Sequence, residues 1–141
     1  MSKFKDKTGH EWSIDLNVGL IEDIKEATGV DFDLLLNDSE KLATMLFTEP
    51  KKLVEVLYVC CADQIHELNI TPKEFGYRFD RGAIDKGANA LIESLITFYP
   101  RASAGRVLAE EMPGLIEKID QKIAEKMKDH VSKAYSNIAM N

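Results

Sequence analysis

Cysteine is scarce in this sequence, which contains only the adjacent pair Cys60 and Cys61. Neighbouring positions of a helix diverge by about 100°, so two adjacent thiols cannot easily chelate one ion or form an unstrained disulfide. His10, His66 and His130 are scattered and match no metal-ligand spacing. The sequence therefore predicts no metal site, and both cysteines are interpreted as small buried hydrophobic residues.

Motifs for catalysis are also missing. The glycines form neither common phosphate-binding loop, and there is no paired-histidine zinc helix, nucleophile-elbow serine or internal repeat. Thr71 has no neighbouring base to activate it, and the carboxylates of Glu22, Asp23 and Glu26 are interpreted as a solvated helix face. We therefore predict no catalytic residue, no cofactor and a protein that is not an enzyme. An enzyme or ligand-binding domain whose site is assembled from distant residues is an alternative.

Positive charge is in deficit, with 18 Lys and Arg residues against 24 Asp and Glu residues and a formal net charge of -6. Proteins that bind a phosphate backbone usually gather an excess of Lys and Arg on one face, so nucleic-acid binding is disfavoured. The densest apolar run is too short to span a bilayer, and the opening MSKFKDKTGHEW becomes polar at once. The expected location is the cytoplasm, with no membrane role.

The sequence does have apolar residues at regular spacing, and its 141 residues are 45% hydrophobic, which is enough for one sizeable core. We predict a mostly α fold with a short N-terminal β-hairpin (α+β). It comprises a compact helical domain around a central buried helix, plus a long C-terminal amphipathic helix. The predicted organisation is a hairpin and helical core over residues 1–100, a hinge or linker over 101–114, and the C-terminal helix over 115–141.

The hairpin is predicted from strands over residues 3–7 and 11–16, joined by a turn at Gly9. Trp12, Ile14 and Leu16 alternate with polar residues and so present one apolar face. An isolated two-stranded hairpin is marginal in water, so it must lie on the helices or pair with another chain's edge.

Start and stop signals place the helices. Asn17, Asp31 and Thr71 are predicted N-caps, Pro50 suits a first helical position, and Gly87 would let a neighbouring helix approach closely. Helices are predicted over residues 17–28, 30–36 (as a helix or a turn), 41–48, 50–68, 71 to about 80–82, and 83–99. The helix over 50–68 carries apolar residues on more than one stripe, so it should contact neighbours on two or more sides.

The predicted C-terminal helix carries an apolar stripe whose positions advance mostly by four residues. Such steps follow the face of a nearly straight helix, whereas a left-handed coiled coil alternates steps of three and four. The stripe can fold back on the body, or it can be a tail that binds a partner's groove, and self-association also stays open. The candidate partner-binding residues, chosen for amphipathicity alone, are Phe98, Tyr99, Ile116, Ile119, Ile123 and Met127.

The order of these elements resembles that of the small tail assembly chaperones of long-tailed bacteriophages. After the hairpin come DLNVGLIEDIKEATGVDFDLLL, EPKKLVEVLYVCCADQ and ITPKEFGYRFDRGAIDKGANALIESLITFYP, so that the resemblance covers about residues 3–100. It implies a non-enzymatic protein that binds the tape-measure protein and helps recruit tail-tube subunits in the host cytoplasm. The family supplies no motif residue that can be transferred as a site. A virion structural protein, such as a connector, neck or other tail component, is the alternative.

Overall fold

The computed structural model describes residues 2–99, and 68% of these residues are helical. A two-stranded antiparallel sheet precedes the helices, which confirms the predicted mostly α fold with a short N-terminal hairpin. The hinge predicted over 101–114 and the helix predicted over 115–141 lie outside the described residues. Among residues 2–99, no helix is both long enough and apolar enough to cross a membrane.

The elements follow one another with short connections. The strands are β1 (Ser2–Lys5) and β2 (Glu11–Ile14). The helices are α1 (Val18–Thr28), α2 (Phe32–Leu35), α3 (Ser39–Thr48), α4 (Pro50–Cys60), α5 (Ala62–Leu68), α6 (Pro72–Tyr77) and α7 (Arg81–Phe98).

The hairpin places Phe4 opposite Trp12, and both side chains are buried. The hairpin lies mainly against α7, which confirms the predicted arrangement in which it packs on the helices. Both strands end earlier than predicted, at Lys5 and at Ile14. The first strand ends where Asp6 leaves the ladder and accepts a hydrogen bond from the Thr8 amide at 2.8 Å. Gly9 follows with φ of 86°, a left-handed conformation that glycine adopts without steric cost.

The predicted caps are confirmed. The side chains of Asn17, Asp31 and Thr71 accept backbone N–H groups at the starts of α1, α2 and α6, and Pro50 opens α4. These bonds satisfy amides that a helix start leaves unpaired. The brief helix after Thr71 ends at Tyr77, a few residues before the predicted boundary, and Asp80 then caps α7.

The single helix predicted over residues 50–68 is wrong, because the chain breaks at Cys61 into α4 and α5. Cys61 is fully buried, with φ of -105° and ψ of 14°, and its thiol lies 3.8 Å from the Ser13 carbonyl oxygen. Beyond the break, Gln64 of α5 also donates a hydrogen bond to the Ser13 carbonyl oxygen of β2. Leu68, at the end of α5, is 42% exposed. The break therefore turns α5 toward the hairpin.

The core is organised around α4, as predicted. Leu53, Val56 and Leu57 are fully buried in it, and α4 packs against α1, α3, α6 and α7. Gly87 allows α7 to pack closely against α4, because a Cβ at position 87 would lie only 2.7 Å from Leu57 Cδ1. Burying apolar side chains of this size stabilises the fold by about 1.5–3 kcal/mol each.

Two polar links attach the hairpin to the helices. Gln64 of α5 accepts a hydrogen bond from the Ser13 amide at 3.0 Å and donates one to the Ser13 carbonyl oxygen at 2.8 Å. At the turn, Arg78 forms a salt bridge with Asp6 at 3.2 Å, and the Lys7 amide donates to the Arg78 carbonyl oxygen. The hairpin is thus held at both ends.

Candidate functional site: an apolar groove along the central helix

The largest apolar depression among the described residues is a groove of about 610 Å³ that runs along α4. Its walls come from the end of α1, from α6 with the chain that follows it, and from the start of α7. We call it the α4 groove. It is lined by Ala27, Thr28, Pro50, Lys51, Val54, Glu55, Tyr58, Val59, Pro72, Phe75, Gly76, Phe79 and Ile84.

The floor of the α4 groove is the side of α4 that faces away from the core. Pro50, Val54 and Tyr58 form one ridge at steps of four residues, and Lys51, Glu55 and Val59 form the next. Val54, Tyr58 and Val59 are half-buried, although the core face of the same helix is fully buried. The sequence predicts contacts on more than one side of this helix, and here the second side is only partly covered.

Aromatic rings build the wall opposite α1. Phe75 is fully buried and packs edge-to-face against Tyr58, Phe79 and Trp12, with ring centroids 4.9–5.8 Å apart. Such pairs add about 0.5–1.5 kcal/mol each beyond their buried area, so they stabilise this wall. Gly76 leaves a gap in the wall: a Cβ at that position would meet no atom within 4 Å.

The few polar groups of the groove lie at its edge. Lys52, beside the groove, donates a hydrogen bond from Nζ to the Thr28 carbonyl oxygen at 3.0 Å and contacts Glu55 at 3.3 Å. This lysine satisfies an orphan carbonyl at the end of α1 and fixes that end against α4. The charged ends of Lys51 and Glu55 complete an apolar channel with a polar margin, a composition suited to the apolar face of a helix.

The buried carboxylate of Asp6 is the most polar feature of the hairpin. It accepts hydrogen bonds from Thr8 and the His10 amide on one oxygen, and from Trp12 Nε1 at 2.8 Å and Arg78 on the other. Burial raises the pKa of Asp6, but the bonds from Thr8, Trp12 and Arg78 outweigh burial and hold this pKa below its usual value. A carboxylate with every acceptor site occupied is a structural anchor rather than a proton-transfer group.

The two cysteines lie at the end of α4, where Cys61 is fully buried and Cys60 is half-buried. Burial raises the pKa of Cys60 to about 12. Burial, followed by the influence of Cys60, also raises the pKa of Cys61. Both thiols are therefore protonated at neutral pH and poorly nucleophilic, in agreement with the interpretation as small hydrophobic residues. Across residues 2–99, no group of three or more His, Cys, Asp or Glu side chains is placed to hold a metal ion.

Two of the six sequence-predicted site residues, Phe98 and Tyr99, belong to the described part of the chain. Phe98 and Tyr99 are half-buried at the end of α7 and pack edge-to-face with ring centroids 5.0 Å apart. Tyr99 donates a hydrogen bond to Asp33 at 2.7 Å. Burial, this bond and the carboxylates of Asp33 and Asp31 raise the pKa of Tyr99. Neither aromatic residue lines the α4 groove. The other four, Ile116, Ile119, Ile123 and Met127, lie outside the described residues, and their binding role stays a prediction.

Sequence reasoning missed the α4 groove. In the sequence, Val54 and Tyr58 belong to the predicted core helix, and Phe75 is interpreted as the partner of Ile70 in a hydrophobic staple at the start of a helix. Gly76 indicates only a weakened helix. The available signal is the surplus of apolar positions on α4, which exceeds what one buried face needs. Comparison of the chain with protein-family models, curated proteins and solved structures gives no match. Function is therefore inferred from the groove and from the sequence.

Proposed function

We propose that this protein is a non-enzymatic assembly chaperone that holds the apolar face of a client helix in the α4 groove. One observation carries the proposal: the central helix leaves its second apolar side, around Val54 and Tyr58, half-covered in an open groove with a polar margin. A client helix that covers this side removes apolar surface from water on both partners.

The client class comes from the resemblance to the small tail assembly chaperones. We infer that the client is a phage tape-measure protein, that tail-tube subunits are recruited to the same complex, and that binding takes place in the host cytoplasm during assembly. A long helical client needs its apolar faces shielded until assembly, because large exposed apolar patches promote aggregation. The net charge of -6 supplies the repulsion that keeps such complexes dispersed.

Gly76→Leu provides a test of the groove. Gly76 lines the groove, and a Cβ at this position would meet no atom within 4 Å, so we expect the larger side chain to narrow the groove without disturbing the core packing. Co-expression of the wild-type chain with the tape-measure protein from the same genome should yield a co-purifying complex. We expect Gly76→Leu to weaken the complex about tenfold, a loss of ~1.4 kcal/mol of binding free energy.

The matched control is Gly82→Leu, in the first turn of α7. A Cβ at position 82 meets only Asp80 Oδ1 at an ordinary 3.6 Å, and Gly82 does not line the groove. This variant should bind the client like the wild type. If the wild-type chain captures neither tape-measure nor tail-tube protein, the proposal fails. Closed rings formed without any client would instead identify a connector or neck component.

A further inference from the structure

Within residues 2–99, the α4 groove is an open apolar channel whose shape favours a particular kind of helix. The ridges of its floor, Pro50–Val54–Tyr58 and Lys51–Glu55–Val59, run at steps of four residues. Helices pack most often when such ridges on one fit between such ridges on the other, with axes crossing at about -50°. The preferred occupant is therefore a helix that presents apolar side chains at steps of four.

The chain itself carries such a segment. After the first step of three, Ile119, Ile123, Met127 and Val131 recur every four residues. In a helix, the stripe from Ile116 to Met127 measures about 17 Å, and the groove floor from Pro50 to Val59 measures about 14 Å. The two apolar surfaces thus agree in length and in ridge spacing.

The point where the described chain ends places this segment within reach. Tyr99 is hydrogen-bonded to Asp33, and Thr28, five residues before Asp33, lines one end of the α4 groove. Residues 100–114 separate Tyr99 from the stripe, and 15 residues span up to about 50 Å when extended. Attachment within one chain raises the local concentration of the stripe at the groove, which favours the chain's own stripe over that of a second copy.

We propose that, in the free protein, residues 115–131 lie in the α4 groove of their own chain, with Ile119, Ile123 and Met127 against Val54 and Tyr58. The segment is then an internal occupant that a client must displace. The displacement rests on the proposed function, but the docking does not, because it requires no client.

Site-specific cross-linking tests the docking in the full chain. A photoreactive benzoylphenylalanine replaces Lys51 at the groove margin in one variant and Lys86, which lines a separate surface beside the hairpin, in another. We expect position 51 to cross-link to peptides within residues 115–131 of the same chain, and position 86 to give no such product. Mixing unlabelled and ¹⁵N-labelled chains distinguishes cross-links within one chain from cross-links between two chains. Mixed-isotope products alone, or no product with residues 115–131, would overturn the proposal.

Two further substitutions each add one negative charge to the segment. Ile123→Asp changes the stripe and should reduce the cross-link yield about tenfold, because a charge would be buried against Val54 and Tyr58. Gln121→Asp lies about 200° away around the helix and should leave the yield unchanged. Equal loss in both variants would contradict docking through the stripe.

Measurements of client binding distinguish the docking of residues 115–131 from the proposed chaperone function. If the segment occupies the groove, Ile123→Asp should strengthen binding of the tape-measure protein, because the internal competitor is removed. Weaker client binding by Ile123→Asp, together with no cross-link from position 51 to residues 115–131 when Ile123 is intact, would overturn the docking and make the stripe a direct client contact. A clear cross-link in a chain that binds no client would leave the docking intact and refute only the chaperone function.

Discussion

At the scale of single residues, the buried charge of Asp6 distinguishes this fold most clearly. Arg78, 72 residues further along the chain, supplies the positive partner, and its side chain retains 25% exposure. Trp12 adds a buried hydrogen bond to the same carboxylate. A buried charge is tolerated only when it is paired and hydrogen-bonded, so the turn of the hairpin depends on these partners being in place.

Removing the Asp6 charge should therefore destabilise the protein. We expect Asp6→Asn to lower the free energy of unfolding by about 2 kcal/mol, below the range for a fully buried pair because Arg78 reaches solvent. Urea unfolding measures this change. The control is Glu11→Gln, which removes the exposed pair between Lys3 and Glu11 and should cost less than about 1 kcal/mol. An equal loss in both variants would contradict the role of burial.

The same carboxylate makes stability depend on pH. The pKa of Asp6 is lower in the folded protein than the value of about 3.9 in an unfolded chain. Its contribution is thus complete above about pH 4 and is lost as the pH falls through the folded pKa. The wild-type chain should lose more stability than Asp6→Asn between about pH 4 and pH 2. If the free energy of unfolding changes with pH in the same way for the two proteins, then Asp6 has the same pKa in the folded and unfolded states, and the prediction is wrong.

At the scale of elements, local chemistry was predictable and distant contact was not. Asn17, Asp31 and Thr71 each satisfy amides within three residues, so their caps can be read directly from the sequence. The break at Cys61 leaves no local mark, because the apolar pattern continues through it and the bonds from Gln64 to Ser13 span 51 positions. The α4 groove could not be predicted for the same reason, since four separate elements line it.

The contact between α4 and α7 depends on a missing side chain. We expect Gly87→Ala to destabilise the fold by about 1–3 kcal/mol, because the added methyl group would lie 2.7 Å from the end of the fully buried Leu57. The gain in helix propensity, about 1 kcal/mol, offsets part of this cost. Thermal unfolding followed by circular dichroism measures the balance.

Gly82→Ala in the same helix is the matched control. Its Cβ would have only ordinary van der Waals contact, so the change should be neutral or stabilising by up to about 1 kcal/mol. The double variant Gly87→Ala with Leu57→Ala should be less destabilised than the sum of the two single variants, because the smaller residue 57 makes room for the methyl group. Additive effects would show that the two helices do not meet there.

At the scale of the whole molecule, long-range contacts join the hairpin to the helices around α4. The hairpin is tied to α5 through Gln64 and to the junction of α6 and α7 through Arg78, and Trp12 packs on Phe75. We expect peptides from residues 2–14 and 50–60 to exchange amide hydrogens through the same global opening. Measured by mass spectrometry, the exchange rates of both peptides should rise by the same factor in Asp6→Asn. Faster exchange of the hairpin alone would show that it opens independently.

The attachment of Gln64 also bears on how copies of this protein behave when crowded. An uncovered strand edge is a template on which strands of other molecules can add, and this process leads to aggregates. At Ser13 both backbone groups are already bonded to the Gln64 amide, as a neighbouring strand would bond them. One glutamine side chain thus occupies the outer edge of β2 at Ser13. Chains at high concentration are then less able to polymerise through this part of the edge.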